Sequence, residues 1–180
     1  MWALMGKCSS HRHGGSITSG LRIGIGHDTH RLEDGGPLRL GGVEIAHSRH
    51  LVGHSDADVL LHAVTDALLG AAACGDIGEL FPNTDAVNRN RDSADMLRLA
   101  YRHVREAGFR VVNLDCILFA EHPKLAPHKS SIQQRIAELL DIAPGAVGLK
   151  AKTGEGIGTV GTNRAMMAQC VALLEMNTNS

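Results

Sequence analysis

An aspartate and a histidine stand two residues apart in the stretch GHDTHRLEDGG, at Asp28 and His30. In an extended backbone, residues i and i+2 point to the same side. A carboxylate and an imidazole on one side form either half of a metal site or only a polar strand end. The choice depends on whether the rest of the chain supplies a third ligand.

The best third ligand is His62, within the helical pattern DADVLLHAVTDALLGAAAC. Asp58 precedes it by four residues and Asp66 follows it by four, so the three share one helical face. Such carboxylates can hold a metal-binding histidine through its second nitrogen. Two histidines and one aspartate suit a zinc site with an open position. A surface face with ordinary ion pairs is the alternative interpretation.

Two other segments could bind phosphate. His54 and Ser55 precede the same helix, whose free N–H groups and dipole favour an anion, although Ser55 could serve only as a cap. The glycines of KAKTGEGIGTVG, residues 150–161, would let backbone N–H groups approach phosphate, and Glu155 could hold Mg²⁺ there. A plain turn explains that loop equally well. Lys124 follows a predicted buried strand and faces either phosphate or solvent.

Length and composition restrict the class of protein. The chain has 180 residues, 43% of them hydrophobic, with a formal net charge of −1, which suggests one globular domain. No apolar run approaches the roughly 20 residues that span a bilayer. The lack of a basic stripe argues against general nucleic-acid binding. The four cysteines form no C-x-x-C pair and fall mostly in apolar segments, which is typical of buried thiols in a reducing compartment.

The elements that must position these residues are strands mixed with helices. Strands are predicted at residues 22–27, 38–40, 43–45, 109–121 and 147–153. Helices are predicted at residues 56–74, 94–107 with Ser93 as N-cap, and 127–140, whereas 165–176 fits either state. Residues 47–53 and 76–91 are predicted loops. The mixture predicts one α/β or α+β sandwich with helices on one sheet face. Residues 1–20 are expected to be a disordered extension before a domain at 21–180.

Five stretches together resemble the 2-C-methyl-D-erythritol 2,4-cyclodiphosphate synthases of the non-mevalonate isoprenoid pathway. They are RIGIGHDTHRL, LGGVEI, GHSDADVLLHAVTDALLGAAACGDIGELFPNTD, AEHPKLAPH and KAKTGEGIG, in the family's order. The resemblance implies a lyase acting on 4-diphosphocytidyl-2-C-methyl-D-erythritol 2-phosphate. The 2-phosphate of this substrate attacks the β-phosphorus of its own diphosphate, so that CMP leaves and a cyclic diphosphate forms.

The resemblance also implies an architecture and a location. The expected fold is α+β, a single-domain sandwich of a mixed four-stranded sheet with helices on one face. It is expected to assemble as a homotrimer with active sites between subunits, and to bind neither nucleic acid nor membrane. A short, weakly basic N-terminus favours the bacterial cytoplasm over a plastid precursor.

By resemblance, Asp28, His30 and His62 hold one zinc ion per subunit, and Glu155 holds Mg²⁺ or Mn²⁺. His54 and Thr153 are expected to stabilise the transition state. Asp58 and Asp66 are expected to support His62. The substrate-binding residues carried over are Ser55, Asp76, Ile77, Gly78, Phe81, Pro82, Asn83, Thr84, Asp85, Ala120, Glu121, His122, Pro123, Lys124, Leu125, Ala126, Lys152, Thr153, Gly154, Glu155 and Arg164.

The chain departs from the family pattern after the glycine-rich loop. Thr162 stands where bacterial members carry an arginine that reaches phosphate, and Thr159 replaces an aromatic residue. Arg164 lies two residues further on, so either it replaces the family's arginine or the contact is lost. Two other functions therefore remain as hypotheses. One is a zinc-dependent phosphoesterase, and the other is a non-catalytic trimer that binds nucleotides or diphosphates.

Overall fold

A computed structural model of the chain describes residues 20–177, so the expected extension at 1–20 lies, apart from Gly20, outside the described residues. The strands are β1 (Leu21–Asp34), β2 (Leu38–Leu40), β3 (Val43–Ile45), β4 (Arg49–Val52), β5 (Phe109–Phe119), β6 (Val147–Lys152) and β7 (Ala165–Met176). The helices are α1 (Val59–Ala72), α2 (Ile77–Leu80), α3 (Ser93–Glu106), α4 (Lys129–Leu140) and α5 (Gly158–Gly161). Short 3₁₀ turns occur at Ala86–Asn88, Ala126–His128 and Pro144–Ala146.

The main sheet of the described chain has five strands in the order β4-β1-β7-β5-β6. Only β5 and β6 pair in parallel, so the sheet is mixed as expected. The expected number of four strands was wrong. The strand β4 falls in residues 47–53, for which a loop was predicted, and it pairs with the end of β1. The ambiguous segment 165–176 is the central strand β7.

The predicted hairpin is confirmed, since β2 and β3 pair across a turn at Gly41 and Gly42. Both glycines have positive φ, at 62° and 73°, which explains the residue type. The carboxylate of buried Asp58 accepts bonds from the N–H groups of Gly41 (2.9 Å) and Gly42 (2.7 Å). It also caps α1 through Leu60 and Leu61. One carboxylate therefore holds the hairpin against the start of α1.

Two glycines let α1 lie unusually close to β1. A Cβ at Gly24 would stand 2.1 Å from the carbonyl oxygen of Ala67, and one at Gly26 would stand 1.9 Å from that of Ala63. Any larger residue would force the helix away from the strand. Alternation along β1 places Asp28 and His30 on this same face. The glycines therefore bring the metal-ligand candidates of β1 under α1.

The helices α1, α3 and α4 pack against one sheet face around an aliphatic core. Cys116 and Cys170 are buried in this core as predicted, with their sulfur atoms 3.5 Å apart. The opposite face exposes large apolar side chains, among them Ile23 (74%), Ile25 (70%) and Val171 (43%). Within residues 20–177, no helix is long and apolar enough to cross a membrane.

Candidate metal centre

Three polar side chains converge between β1 and α1. Nδ1 of His62 lies 2.9 Å from Oδ2 of Asp28 and 3.0 Å from Nε2 of His30. Nε2 of His30 lies 3.1 Å from the same Asp28 oxygen. The three side chains are only 12–24% exposed. The predicted convergence of Asp28, His30 and His62 is therefore observed, and it rests on the i, i+2 spacing in β1 and on the close approach of α1.

The donor set suits a metal ion. Zinc–nitrogen bonds of about 2.0–2.1 Å in tetrahedral geometry place ligand atoms about 3.3 Å apart, close to the separations seen here. The two ring nitrogens and the carboxylate oxygen can each act as a metal ligand, and all three lie within 4.8 Å of one another. One proton on Nδ1 of His62 cannot satisfy both neighbours, whereas a central cation would satisfy all three.

The electrostatics of the triad are those of a tightly coupled acid and base. Burial alone would raise the pKa of Asp28, but the hydrogen bonds and positive charge of His30 and His62 lower it well below its usual range. Burial alone would lower the pKa of His62, but Asp28, together with the charges of Asp58 and Asp56, raises it. The carboxylate of Asp28 is therefore held ionised and available to a cation.

Serines, rather than the expected carboxylates, contact the second nitrogen of His62. Its Nε2 lies 3.0 Å from Oγ of Ser55 and 2.9 Å from Oγ of Ser93. Neither Asp58 nor Asp66 makes a described hydrogen bond to the ring, so the expectation that these carboxylates hold its second nitrogen is wrong. The carboxylate of Asp58 is committed to N–H groups of the hairpin and α1, and this side chain acts on His62 only through its charge.

Asp66 instead anchors the segment of Asp76, Ile77 and Gly78, which were expected to bind substrate. Its Oδ1 accepts a bond of 2.8 Å from the N–H of Ile77, while burial raises the pKa of this carboxyl group. Asp76 caps the short helix α2 through the N–H of Glu79. Phe81 is buried, whereas the residues at 82–85 are exposed. Part of the predicted loop at 76–91 is therefore ordered into short helical turns.

A cavity of about 370 Å³ opens beside the triad. Ser55 and Asp56 line it together with Gly53, His50 and Asn90. Adjacent His54 is exposed, and its carbonyl accepts a bond from the N–H of Asn90. The cap of α1 is Asp58, so Ser55 is not the cap of this helix. None of the three triad residues lines the cavity, which adjoins the triad through the contact of Ser55 with His62.

A second group of predicted residues lies at the end of β5 and β6. Oε2 of Glu121 accepts a bond of 3.0 Å from the N–H of Gly154, which ties segment 120–126 to the glycine-rich loop. Oγ1 of Thr153 donates to Glu155 at 2.6 Å. Lys124, Lys152, Thr153 and Glu155 are exposed. At the usual strand spacing, β5 lies about 10 Å from β1 and β6 about 14 Å from it, with β7 between β1 and both strands.

Arg164 contacts Thr162, the residue that stands at the position of the family's arginine. Nε of Arg164 donates to Oγ1 of Thr162 at 3.1 Å. The backbone carbonyl of Arg164 accepts a bond from the N–H of Leu32 in β1. The side chain is exposed. Arg164 is therefore held over the position of Thr162 and beside β1.

Two residues beside His62 were missed by sequence reasoning as parts of the site. Ser93 was predicted only as a helix cap, yet Asp92 caps α3 and Ser93 is the first helical residue. No role in the site was predicted for Asp56, yet its carboxylate accepts a bond from Oγ of Ser93. The two stand 37 residues apart, so no local spacing could have paired them.

Fold and site together define an α+β protein with three side chains, between strand and helix, that could hold a metal ion. The sequence profile of the YgbB family matches residues 21–175. Proteins named 2-C-methyl-D-erythritol 2,4-cyclodiphosphate synthase are similar to this chain along most of their length. The one from Rhodopirellula baltica is 53% identical over 86% of this chain and 93% of its own. The one from Chromobacterium violaceum is 54% identical over 86% and 98%.

Solved protein structures are also similar to the chain. A synthase of that name with CDP bound has a TM-score of 0.79 at 40% identity, covering 86% of this chain and all of its own. The bifunctional IspDF from Campylobacter jejuni has a TM-score of 0.84 at 41% identity, and the match covers 87% of this chain and 42% of that longer protein. The chain belongs to the YgbB family.

Proposed function

We propose that the chain converts 4-diphosphocytidyl-2-C-methyl-D-erythritol 2-phosphate to 2-C-methyl-D-erythritol 2,4-cyclodiphosphate and CMP. This is the reaction of a cyclising lyase in non-mevalonate isoprenoid biosynthesis. The bacterial relatives of the chain are named after the synthesis of this cyclic product. The observation that carries the proposal is the convergence of Asp28, His30 and His62 beside an open polar cavity. The bacterial relatives favour a cytoplasmic location.

The physical problem of this reaction is the approach of two anionic groups. Positioning and electrostatic stabilisation solve most of it, because phosphoryl transfer asks little covalent chemistry of the protein. Asp28, His30 and His62 would hold zinc, and the bound ion supplies positive charge that orients and polarises the diphosphate. Glu155, exposed on the glycine-rich loop, would hold Mg²⁺ or Mn²⁺ through oxygen.

Ser55 and His54 would bind the erythritol phosphate next to the triad. Oγ of Ser55 accepts a bond from the N–H of Ala57, faces Nε2 of His62 and lies 3.4 Å from Oγ of Ser93, and its proton would turn from Ser93 to a bound phosphate oxygen. His54 is exposed beside it and could donate to charge that develops in the transition state. Thr153 is the second stabilising group, on the loop that carries Glu155.

The segment 120–126 would bind the cytidine. Glu121 fixes this segment against the glycine-rich loop, so the nucleotide and the second metal would lie near one another. Ala120 donates its N–H to the carbonyl of Lys152, which extends the link between the two segments. Exposed Lys124 and Lys152 add positive charge that suits a diphosphate. The related synthase solved with CDP supports a nucleotide diphosphate as the ligand class.

A homotrimer would bring the two groups of residues together. Within one chain, β7 lies between β1 and β5, which leads into segment 120–126, and both β7 and β5 lie between β1 and β6, which leads into segment 152–155. The helix-free sheet face exposes Ile23, Ile25 and Val171, and register places Ile25 opposite Val171. A contiguous exposed apolar surface marks an association site. Packing of this face against neighbouring copies would place the nucleotide segment of one chain near the triad of the next.

Product analysis tests the proposed reaction. Purified protein is incubated with the diphosphocytidyl substrate, Zn²⁺ and Mg²⁺, and the products are followed by phosphorus NMR. The expected result is CMP with a cyclic diphosphate. Release of an open-chain phosphate would instead indicate a zinc-dependent phosphoesterase. Bound CMP without turnover would indicate a non-catalytic binding protein.

A further inference from the structure

Ser93 is one of four fully or nearly fully buried polar residues in the described chain, with Asp58, Thr65 and Asn88. Asp58 accepts from backbone N–H groups, Thr65 donates to a carbonyl oxygen, and Asn88 donates to a carbonyl oxygen and accepts from the side chain of Arg91. Ser93 alone of these four contacts a side chain of the metal triad, with its Oγ 2.9 Å from Nε2 of His62. A buried hydroxyl in this position calls for an explanation beyond helix capping.

The position of one proton explains the contact. Nδ1 of His62 faces Asp28 and His30, so a metal ion held by the triad takes the lone pair of Nδ1. The ring proton then resides on Nε2, which needs an acceptor. A metal-binding histidine is held in the correct tautomer and orientation by such an acceptor. The two candidates within reach are Oγ of Ser93 and Oγ of Ser55.

Asp56 makes Ser93 the fixed acceptor. Oγ of Ser93 donates its proton to Oδ1 of Asp56, and the N–H of Ser93 donates to Oδ2 at 3.3 Å. With its proton committed to the carboxylate, the hydroxyl of Ser93 can only accept from His62. Among the described residues, Ser55 contacts no carboxylate. Its Oγ accepts a bond of 3.1 Å from the N–H of Ala57 and lies 3.4 Å from Oγ of Ser93, and the residue is half-buried at the cavity. Its hydroxyl remains able to rotate toward a ligand.

The backbone holds this arrangement in place. The N–H of Asp56 donates to the carbonyl of Arg91 at 3.1 Å, and the N–H of Asn90 donates to the carbonyl of His54 at 2.8 Å. Residues 54–56 are thereby paired with residues 90–93, at the start of α3. Ser93 therefore reaches His62 from a separate and rigid element.

We propose that Ser93, oriented by Asp56, is a positioning residue that fixes His62 with Nδ1 toward the metal. The order of contacts is Asp56 carboxylate, Ser93 hydroxyl, His62 imidazole. The inference rests on the proposed function only in that the metal is the one the reaction needs. Its consequence is that the start of α3 contributes to metal affinity although it supplies no ligand.

The test is the zinc affinity of the full-length Ser93→Ala protein, measured by competition with a chromophoric chelator. Loss of an outer partner of a metal-binding histidine weakens metal affinity about 10–100-fold, and we expect a loss in that range. Ser130→Ala removes an exposed hydroxyl from α4 and is the matched control, with unchanged affinity expected. Wild-type affinity in a folded Ser93→Ala protein would overturn the proposal.

Two further measurements separate positioning from simple structural support. In zinc-loaded protein labelled with ¹⁵N-histidine, NMR should show the His62 proton on Nε2 in the wild type and altered exchange of that proton in Ser93→Ala. Asp56→Asn leaves the hydroxyl in place but weakens its orientation, so its zinc affinity should fall less than that of Ser93→Ala. The double variant should bind zinc no more weakly than Ser93→Ala, because the residues act in series.

If the losses of zinc affinity from Asp56→Asn and Ser93→Ala add up in the double variant, Asp56 does not act through Ser93. If Ser93→Ala fails to fold, the folded Asp56→Asn protein decides alone, and unchanged zinc affinity there would overturn the proposal. None of these measurements uses substrate. A failure of the proposed reaction and a failure of this inference are therefore separate results.

Discussion

The metal triad and the surface formed by residues 120–126 and 152–155 differ in how completely one chain builds them. The triad is half-buried, its three ligand atoms lie 2.9–3.1 Å apart, and serines fix its outer nitrogen. At the other surface, Thr153 and Glu155 are exposed and bond mainly to each other. The triad lies under α1, whereas β6 is an edge strand. Under the proposed function, one chain would therefore hold the metal, and a second copy would be needed to enclose the nucleotide.

The largest effect is expected from His62→Ala, which removes one of three ligands and leaves the other surface untouched. Zinc content should fall from one ion per chain to near zero, and turnover should drop about 10³-fold or more because stabilisation of the reacting phosphates is lost. Elemental analysis and steady-state kinetics measure the two effects. His103→Ala, a half-buried histidine on α3, is the control. A variant at His62 that keeps stoichiometric zinc would refute the triad.

Ile25→Asp should break the proposed trimer and so move the triad of one chain away from segments 120–126 and 152–155 of its neighbour. Ile25 is 70% exposed in the single chain, and a charge placed within an apolar interface is strongly unfavourable. Sedimentation equilibrium should show monomers in place of trimers, with zinc still bound and turnover largely lost. Val87→Asp changes an equally exposed apolar residue outside the sheet, and it should remain trimeric. Full activity in a monomeric Ile25→Asp protein would contradict the shared site.

Glu155→Gln tests the exposed surface without disturbing the triad. Removing the negative charge weakens a Mg²⁺ ligand, so the Mg²⁺ concentration for half-maximal activity should rise about tenfold. Zinc content should not change. Glu138→Gln, on the exposed side of α4, provides a control for loss of charge alone. An unchanged magnesium dependence would exclude Glu155 as the ligand.

The smallest effect is expected from Arg164→Ala. If the guanidinium over Thr162 takes the role of the family's arginine, one exposed charge-assisted bond to phosphate is lost, and KM should rise about 3–10-fold. The control is Arg98→Ala, an exposed arginine on α3 that pairs with Asp95. Equal KM and kcat in wild type and variant would show that the phosphate contact is absent from this chain.

Patterns within a few residues of one another predicted much of the fold. The Gly-Gly hairpin, α1, α3, α4, β5 and β6 were found, with errors mainly at their ends. Strand β4 was missed because its four residues, two of them basic or imidazole-bearing, show little apolar alternation. The segment of β7 fitted both states because nearly all its residues are apolar. Its strand state depends on pairing with β1 and β5 on either side.

By itself, the sequence determined the ligand types and the side of β1 on which Asp28 and His30 lie, because alternation along a strand is a local property. It also determined the resemblance that places the chain in its family. Only the tertiary structure decided that serines rather than Asp58 and Asp66 hold His62, and that Asp56 and Ser93 meet across 37 residues. Such contacts depend on how closely α1 packs on Gly24 and Gly26 and on where α3 begins. These distances follow from packing between elements far apart in the chain.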